Sequence, residues 1–304
     1  MREVAVVTTG FFDGVHLGHR HVLETVVSAA RERGEEAIVV TFWPHPRTVL
    51  QQDARDFRLL SSLEEKKELL LSAGIHRVEV LPFTRQFAAM KADEYLALLR
   101  DRFGASLVVM GYDNRIGSDR KTASEMVPGP DTGKPELVLL KPVLPVTGTG
   151  KPELVREVAI SSTQIRKALE LGEVLQANGM LGYAYGLYGV VVAGNRMGRS
   201  IGFPTANMQL YEPLKLVPGN GVYAVEVEVL GRKYRGMTNI GTRPTVGGTA
   251  RTIETHILDF DEDIYGLPLR IRFLHRIRDE RKFPSLDSLR EQLEKDREMC
   301  RKLD

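Results

Sequence analysis

The chain reads as an α/β protein in two parts: a parallel sheet flanked by helices, then a small antiparallel β-barrel or sandwich closed by a helix. Three observations predict this. Residues 1–110 alternate continuous apolar runs with helical patterns, as expected for a parallel sheet covered on both faces. From about residue 185, strand-like segments follow one another without helices, separated by Gly and Pro clusters. An amphipathic segment near the C-terminus supplies the closing helix. A chain of 304 residues has room for both domains.

In the first part, Val4–Thr8 is a buried strand and Gly18–Arg33 a helix that stops at Gly34. Ala37–Phe42 is a second buried strand. Ser62 and Glu65 have capping-box spacing and open a helix that runs to Ala73 and closes at Gly74. Arg77–Leu81 is a strand, Ala92–Phe103 a helix closed by Gly104, and Ser106–Met110 a strand. Ligands of such sheets bind beyond the strand C-termini. Gly10–His19, Pro44-His45-Pro46 and Gly111–Arg120 all follow strands and can meet there. Residues 126–152 read as loops around one strand, Leu137–Val146, and Ala168–Met180 as one helix leading to the second part.

The second part has strands at Tyr185–Ala193, Gly221–Leu230, Lys233–Ile240, Thr252–Leu258 and Leu269–Ile277. Its closing helix, Ser285–Arg301, carries Leu286, Leu289 and Leu293 on one face. The domain boundary is expected after residue 182, giving domains 1–182 and 183–304.

Composition narrows the function. The chain is 42% hydrophobic and 27% charged, ordinary for a globular protein. A net charge of +2 makes no case for nucleic acid or a membrane surface as partner. No apolar run reaches spanning length, and the first strand begins too early for a signal peptide. A single cysteine, Cys300, excludes an intrachain disulfide and a cysteine-cluster metal site, so a cytoplasmic location is expected.

The most informative segment is Thr8–Arg20. It joins a strand to a helix through glycines at 10, 14 and 18, which let the backbone approach a ligand closely. A helix N-terminus offers unpaired N–H groups and a positive dipole end to phosphate. His16 and His19, three apart, face the same way on a first helical turn. The segment is neither a Walker A loop nor a G-x-G-x-x-G fingerprint. It reads as a nucleotide site in which imidazoles meet the phosphates. The competing reading makes these histidines metal ligands together with Asp13 and His45. Ser161-Ser162-Thr163 opens a helix, and Arg166 one turn on can clamp a phosphate.

In the second part, Gly198–Asn207 joins a glycine loop to a stiff Phe-Pro-Thr turn. The hydroxyl of Thr205 and the amide of Asn207 suit Mg²⁺ and phosphate. Glu254 and His256 share one face of a strand, opposite Ile253, Thr255 and Ile257. The arginines at 270, 272, 276, 278 and 281 read as a solvated basic face.

At these residues the chain resembles the bacterial bifunctional riboflavin kinase/FMN adenylyltransferases, or prokaryotic FAD synthetases, over nearly its whole length. The resemblance rests on Gly10–His19, Thr41–Pro46 and Ser161–Arg166, then on Gly202–Asn207, Gly221-Val222-Tyr223, Asn239–Thr245, Glu254-Thr255-His256, Asp263–Gly266 and Lys282-Phe283. It implies a Rossmann-like adenylyltransferase domain and a riboflavin kinase barrel. It further implies ATP as co-substrate, Mg²⁺, riboflavin, FMN and FAD as substrates or products, and a monomer or weak homo-oligomer.

By the same resemblance Glu254 is the base for riboflavin phosphorylation, while Gly202, Pro204, Thr205, Asn207 and Asn239 hold nucleotide, flavin and metal. His16, His19 and Arg166 are the catalytic groups of adenylyl transfer, and Gly10, Phe12, Asp13, Gly14, Gly18, His45, Asp113, Ser162 and Thr163 line that site. The family reads Asp or Asn, Phe, x, Phe, Gly after the fourth strand; here Asp113-Asn114-Arg115-Ile116-Gly117 lacks both aromatics. Two alternatives therefore stay open: a riboflavin kinase with weak or lost adenylyltransferase, and a non-catalytic flavin-binding regulator.

Overall fold

A computed structural model describes residues 4–50, 57–111, 115–121, 135–139, 160–194, 198, 201–245 and 248–303, the side chains of 139, 243–245 and 248–250 excepted. The chain divides into two compact units, Met1–Ser162 and Thr163–Asp304.

The first unit is built on β1 (Ala5–Thr9), β2 (Glu36–Trp43), β3 (Arg77–Pro82), β4 (Ala105–Met110) and β5 (Glu136–Leu139). All pair in parallel, in the order β3-β2-β1-β4-β5. Every residue of β1 is buried, and alternate side chains go to opposite faces. Ala5 and Val7 pack with Leu96, Leu99 and Phe103 of α5 (Ala92–Phe103). Val6 packs with Leu23, Val26 and Ala30 of α1 (Leu17–Arg33) and with Leu70 of α3 (Leu63–Ser72). The continuous apolar runs exist because both sheet faces are covered. The expected capping box is present: Ser62 Oγ accepts the Glu65 N–H at 3.1 Å, and Glu65 accepts the Ser62 N–H at 2.7 Å. Two short helices absent from the sequence reading, α2 (Pro46–Leu50) and α4 (Arg85–Ala88), flank the strand ends. Of the strand expected over Leu137–Val146, residues 140–146 lie outside the described residues.

The second unit opens with two helices where one was expected: α6 (Ser162–Glu170) and α7 (Val174–Leu181). Gly172, at φ +77°, turns the chain between them, and a Cβ there would strike the Tyr223 hydroxyl. This hairpin packs on the barrel, which is why the compact units divide at residue 162 rather than after 182. Gly219 N–H donates to the Leu169 carbonyl, and Asn178 ties α7 to Tyr185 and Phe273.

Six antiparallel strands close the barrel in the order β10-β7-β6-β11-β8-β9. They are β6 (Gly186–Val192), β7 (Ala206–Leu210), β8 (Gly221–Val229), β9 (Arg232–Thr245), β10 (Gly248–Ile257) and β11 (Pro268–Arg278). β7 has no counterpart among the strands expected from the sequence. Helix α8 (Leu286–Lys302) buries Asp296 and Cys300. Leu286, expected on the buried face, is exposed.

Three arginines of β11, Arg272, Arg276 and Arg278, pair with carboxylates rather than forming a solvated face. Arg272 bridges Glu226 and Glu228. Arg278 meets Asp296 through Nε and Nη2, and Gln292 donates to the same carboxylate at 2.7 Å. Asp296 is only 1% exposed, so removing its cation strands a buried charge. Arg278→Ala is expected to destabilise the barrel unit by about 3–5 kcal/mol, measured by denaturant unfolding.

Candidate active sites

In the first unit the strand order reverses at β1, with β2 on one side and β4 on the other, so a crevice opens at their C-terminal ends. The segment after β1 has little freedom. Phe12, Gly14 and Val15 all have positive φ, at 54°, 77° and 37°. For the β-branched Val15 this is a strained conformation of the kind that surrounding structure must enforce. The enforcement comes from Asp13. Its buried carboxylate accepts the N–H groups of Leu60 and Ser61 at 3.0 and 3.1 Å, and Gly14 N–H donates to Ser61 Oγ at 3.0 Å. Ser162 Oγ donates to the Asp13 carbonyl at 3.1 Å. Asp13 thus staples the loop, its carboxylate turned toward protein.

This loop delivers two imidazoles. His16 is the N-cap of α1; its Nδ1 accepts the His19 N–H at 3.4 Å. The two rings stack 3.7 Å apart at 18°. Phe12 meets the His19 ring edge-on at 5.2 Å, and Gly10 leaves the space its ring occupies. Gly18 lies against the His16 ring, where a Cβ would come within 3.2 Å. Burial, then His16 and Lys66, holds the His19 pKa well below the ordinary imidazole range. Nδ1 of His19 is buried with no hydrogen-bond partner among the described residues. A neutral imidazole at a helix N-terminus donates one N–H to an incoming phosphate.

His45 follows β2, with its Nδ1 accepting the Arg47 N–H at 3.0 Å. Its ring lies between Phe11, 4.1 Å away, and Phe57, 4.3 Å away. Sequence reasoning missed Lys66. It is fully buried on α3 and donates to the Phe11 carbonyl and to Thr41 Oγ1 at 3.0 and 3.1 Å. The legible signal was its spacing from the buried Leu70, four residues on and on the same helical face.

Beside Gly10 lies a cavity of about 280 Å³, walled by Phe42, Phe83, Phe87, Tyr95 and Ile116. Ile116, one of the two departures from the family pattern, is 5% exposed and belongs to the core. Asp113 and Asn114 lie outside the described residues. Thr163 and Arg166 stand on α6, in the second unit, Thr163 exposed and Arg166 half-buried. Among the described residues no group of three His, Cys, Asp or Glu side chains is placed to hold a metal, so the metal-ligand reading of His16, His19, Asp13 and His45 has no cluster behind it.

In the barrel, Glu254 of β10 stands opposite Asn207 of β7 and opposite Asn239 of β9. Directly paired residues share a sheet face, so three polar side chains form one row across three strands. All three are half-buried, while Ile253, Thr255 and Ile257 are buried on the other face, as the alternation predicts. Gly194 makes room for the Asn207 amide: a Cβ there would fall on it.

The turn before β7 is held in place by His256, whose Nδ1–H donates to the Pro204 carbonyl at 2.8 Å. Its ring lies 5.1 Å from that of Phe203, and burial lowers its pKa against the opposing effect of that hydrogen bond. Gly202, at φ +85°, permits the turn. Thr205 and Pro204 line a cavity of about 260 Å³ with Ile264 and Tyr265, and Asp261, Glu262 and Asp263 also line it. The Thr205 hydroxyl and the Asn207 amide oxygen are hard donors that fit Mg²⁺, too few to hold it without phosphate or water.

Both parts of the chain match known proteins. A riboflavin kinase family model covers residues 181–303 and an FAD synthetase family model residues 1–132. The bifunctional riboflavin kinase/FMN adenylyltransferase of Bacillus subtilis (strain 168) is 35% identical over 297 residues, 97% of this chain and 90% of its own length. That of Escherichia coli (strain K12) is 36% identical over 304 residues, 97% of this chain and 91% of its own. A crystal structure of a protein described as a macrolide-efflux protein from Streptococcus pneumoniae aligns with TM-score 0.90 and 35% identity, over 100% of this chain and 96% of that one. No described helix of this chain is long and apolar enough to cross a membrane. With matched models over both halves and full-length relatives of that identity, the chain belongs to the bifunctional riboflavin kinase/FMN adenylyltransferase family.

Proposed function

We propose that this chain makes FAD from riboflavin in two ATP-dependent steps, with residues 183–304 as the kinase and residues 1–182 as the adenylyltransferase. The observation that carries the reading is the row Asn207–Glu254–Asn239, a carboxylate flanked across the sheet by two amides at the edge of a phosphate-suited turn. Glu254 takes the proton of the riboflavin 5′-hydroxyl as its oxygen attacks the γ-phosphorus and the bond to the β-phosphate oxygen breaks. Thr205, Asn207 and the Gly202–Pro204 turn orient the triphosphate, and Asn239 orients Glu254. Thr205 and Asn207 would hold Mg²⁺ brought in with the nucleotide, and the ion would supply neutralisation of phosphate charge there.

In the second step an FMN phosphate oxygen attacks the α-phosphorus of a second ATP, and pyrophosphate leaves. No protein nucleophile is required. His16 and His19 hydrogen-bond the phosphates as charge moves onto the leaving group, with Gly10, Gly14, Gly18, His45 and Ser162 around them. The aromatic cavity beside Gly10 suits the flat flavin ring. Ile116 keeps that wall apolar, which supports retention of the second step. The reading includes a cytoplasmic monomer or weak homo-oligomer that binds flavins and ATP and no nucleic acid.

The test is chromatography of flavins after incubation with riboflavin, ATP and Mg²⁺. FMN appearing first and FAD after it is the expected course. FMN alone, even with FMN supplied, removes the second step; unchanged riboflavin with folded protein leaves a flavin-binding regulator.

A further inference from the structure

The most demanding group in the first unit is a lysine that the scheme above does not use. Lys66 of α3 is fully buried beneath the loop carrying the histidines. Its ammonium has three hydrogens and meets three acceptors: the Phe11 carbonyl at 3.0 Å, Thr41 Oγ1 at 3.1 Å and the Phe42 carbonyl at 3.4 Å. It also sits 3.7 Å from the centre of the Phe11 ring, a cation–π contact made without competing water. Phe11 in turn lies edge-on to His45 at 4.1 Å. One charge therefore ties the segment after β1 to the end of β2, and through a single ring fixes His45.

We propose that Lys66 is a positioning residue for adenylyl transfer: its ammonium sets Phe11, and through it His45, at the phosphate-binding crevice. The inference rests on the adenylyl-transfer reading of this unit. A neutral amine has two hydrogens and a lone pair, so deprotonation turns that lone pair toward one of three acceptors and breaks the tie. The groups facing Lys66 are Thr41 and the Trp43 ring from β2, Asp13 and Phe11 from the loop, and His19 from α1. Burial brings the Lys66 pKa down to about 8, against the opposing pull of Asp13. The tie is therefore complete below that pH and lost above it.

The experiment follows both steps in the full-length chain as wild type, Lys66→Met and Lys66→Arg, from about pH 7 to about pH 9.5. Wild-type conversion of FMN to FAD is expected to fall on an alkaline limb near pH 8. Lys66→Met should cost roughly thirtyfold in that step at pH 7, less than the hundredfold that a 1 Å misplacement can cost. It should have no alkaline limb and should leave riboflavin phosphorylation unchanged. Lys66→Arg, which does not titrate in this range, should keep more activity than Lys66→Met and also lose the limb.

FAD formation by Lys66→Met within about threefold of wild type, or with the wild-type limb intact, overturns the assignment. If Lys66→Met does not fold, as loss of the first unit's thermal unfolding transition would reveal, the other two proteins decide. A flat wild-type profile, or an unmoved limb in Lys66→Arg, refutes the role. A wild type that forms FMN but no FAD fails the adenylyl-transfer reading itself and takes Lys66 with it.

Discussion

Replacing Glu254 with Gln is expected to reduce riboflavin phosphorylation by about a hundredfold or more, the scale set by a positioned general base. Glutamine has nearly the shape of glutamate and keeps an acceptor oxygen for the neighbouring Asn207 and Asn239, so the strand register survives. What it loses is the basic oxygen that receives the hydroxyl proton. Conversion of supplied FMN to FAD should be unaffected, because Glu254 belongs to the barrel and the histidine pair to the other unit. The measurement is the initial rate of each step on one preparation, with FMN and riboflavin offered separately. A rate of phosphorylation near wild type would remove Glu254 as base. Asn207→Ala supplies the contrast: it removes an amide whose oxygen suits the metal and whose N–H suits phosphate while leaving the base, so it should raise the KM for ATP as well as lower kcat.

Much of this architecture was legible because it rests on simple periodicities. Strands β1, β2 and β4 are apolar runs because both sheet faces are covered, and β10 alternates because only one of its faces is buried. Other features were hidden where one residue type serves two ends. Gly202 and Pro204 read as turn, which they are, and so masked β7 beginning two residues later. Gly172 inside an apolar helical pattern reads as a tolerated glycine; only the approach of Tyr223 shows that the chain must turn there.

The sites show the same split. The residue types in Gly10–His19 announced phosphate chemistry, but not that Asp13 faces Leu60 and Ser61, since those partners lie 47 and 48 residues away in sequence. Lys66, set among Glu64, Glu65, Lys67 and Glu68, looks like any solvated helical lysine. Its burial depends on carbonyls from two other elements. Charge in the β11 arginines was visible, but their carboxylate partners on β8 and α8 were not.

His19→Ala is expected to lower FAD formation by roughly a thousandfold, the upper range for deleting one donor to a charge-developing oxygen, while sparing FMN formation. The size follows from where the ring sits. It stacks on His16, and burial, His16 and Lys66 all disfavour its charged form, so near neutral pH it acts as a fixed hydrogen-bond donor rather than a mobile cation. A donor held in place before the reaction needs no reorganisation as pyrophosphate leaves.

The same burial has a consequence for folding. With its pKa lowered in the folded state, His19 stays neutral while the unfolded chain takes up a proton. Stability present above the ordinary imidazole pKa is therefore lost as the pH falls below roughly 6.5. His19→Ala removes that site, so its unfolding midpoint should depend less steeply on pH over this range than the wild type's. His19→Gln, which keeps an N–H donor without the titration, should recover part of the lost rate and show the same flatter pH dependence of stability. Equal rates for the Ala and Gln variants would mean that the ring acts through packing against His16 and Phe12 rather than as a donor.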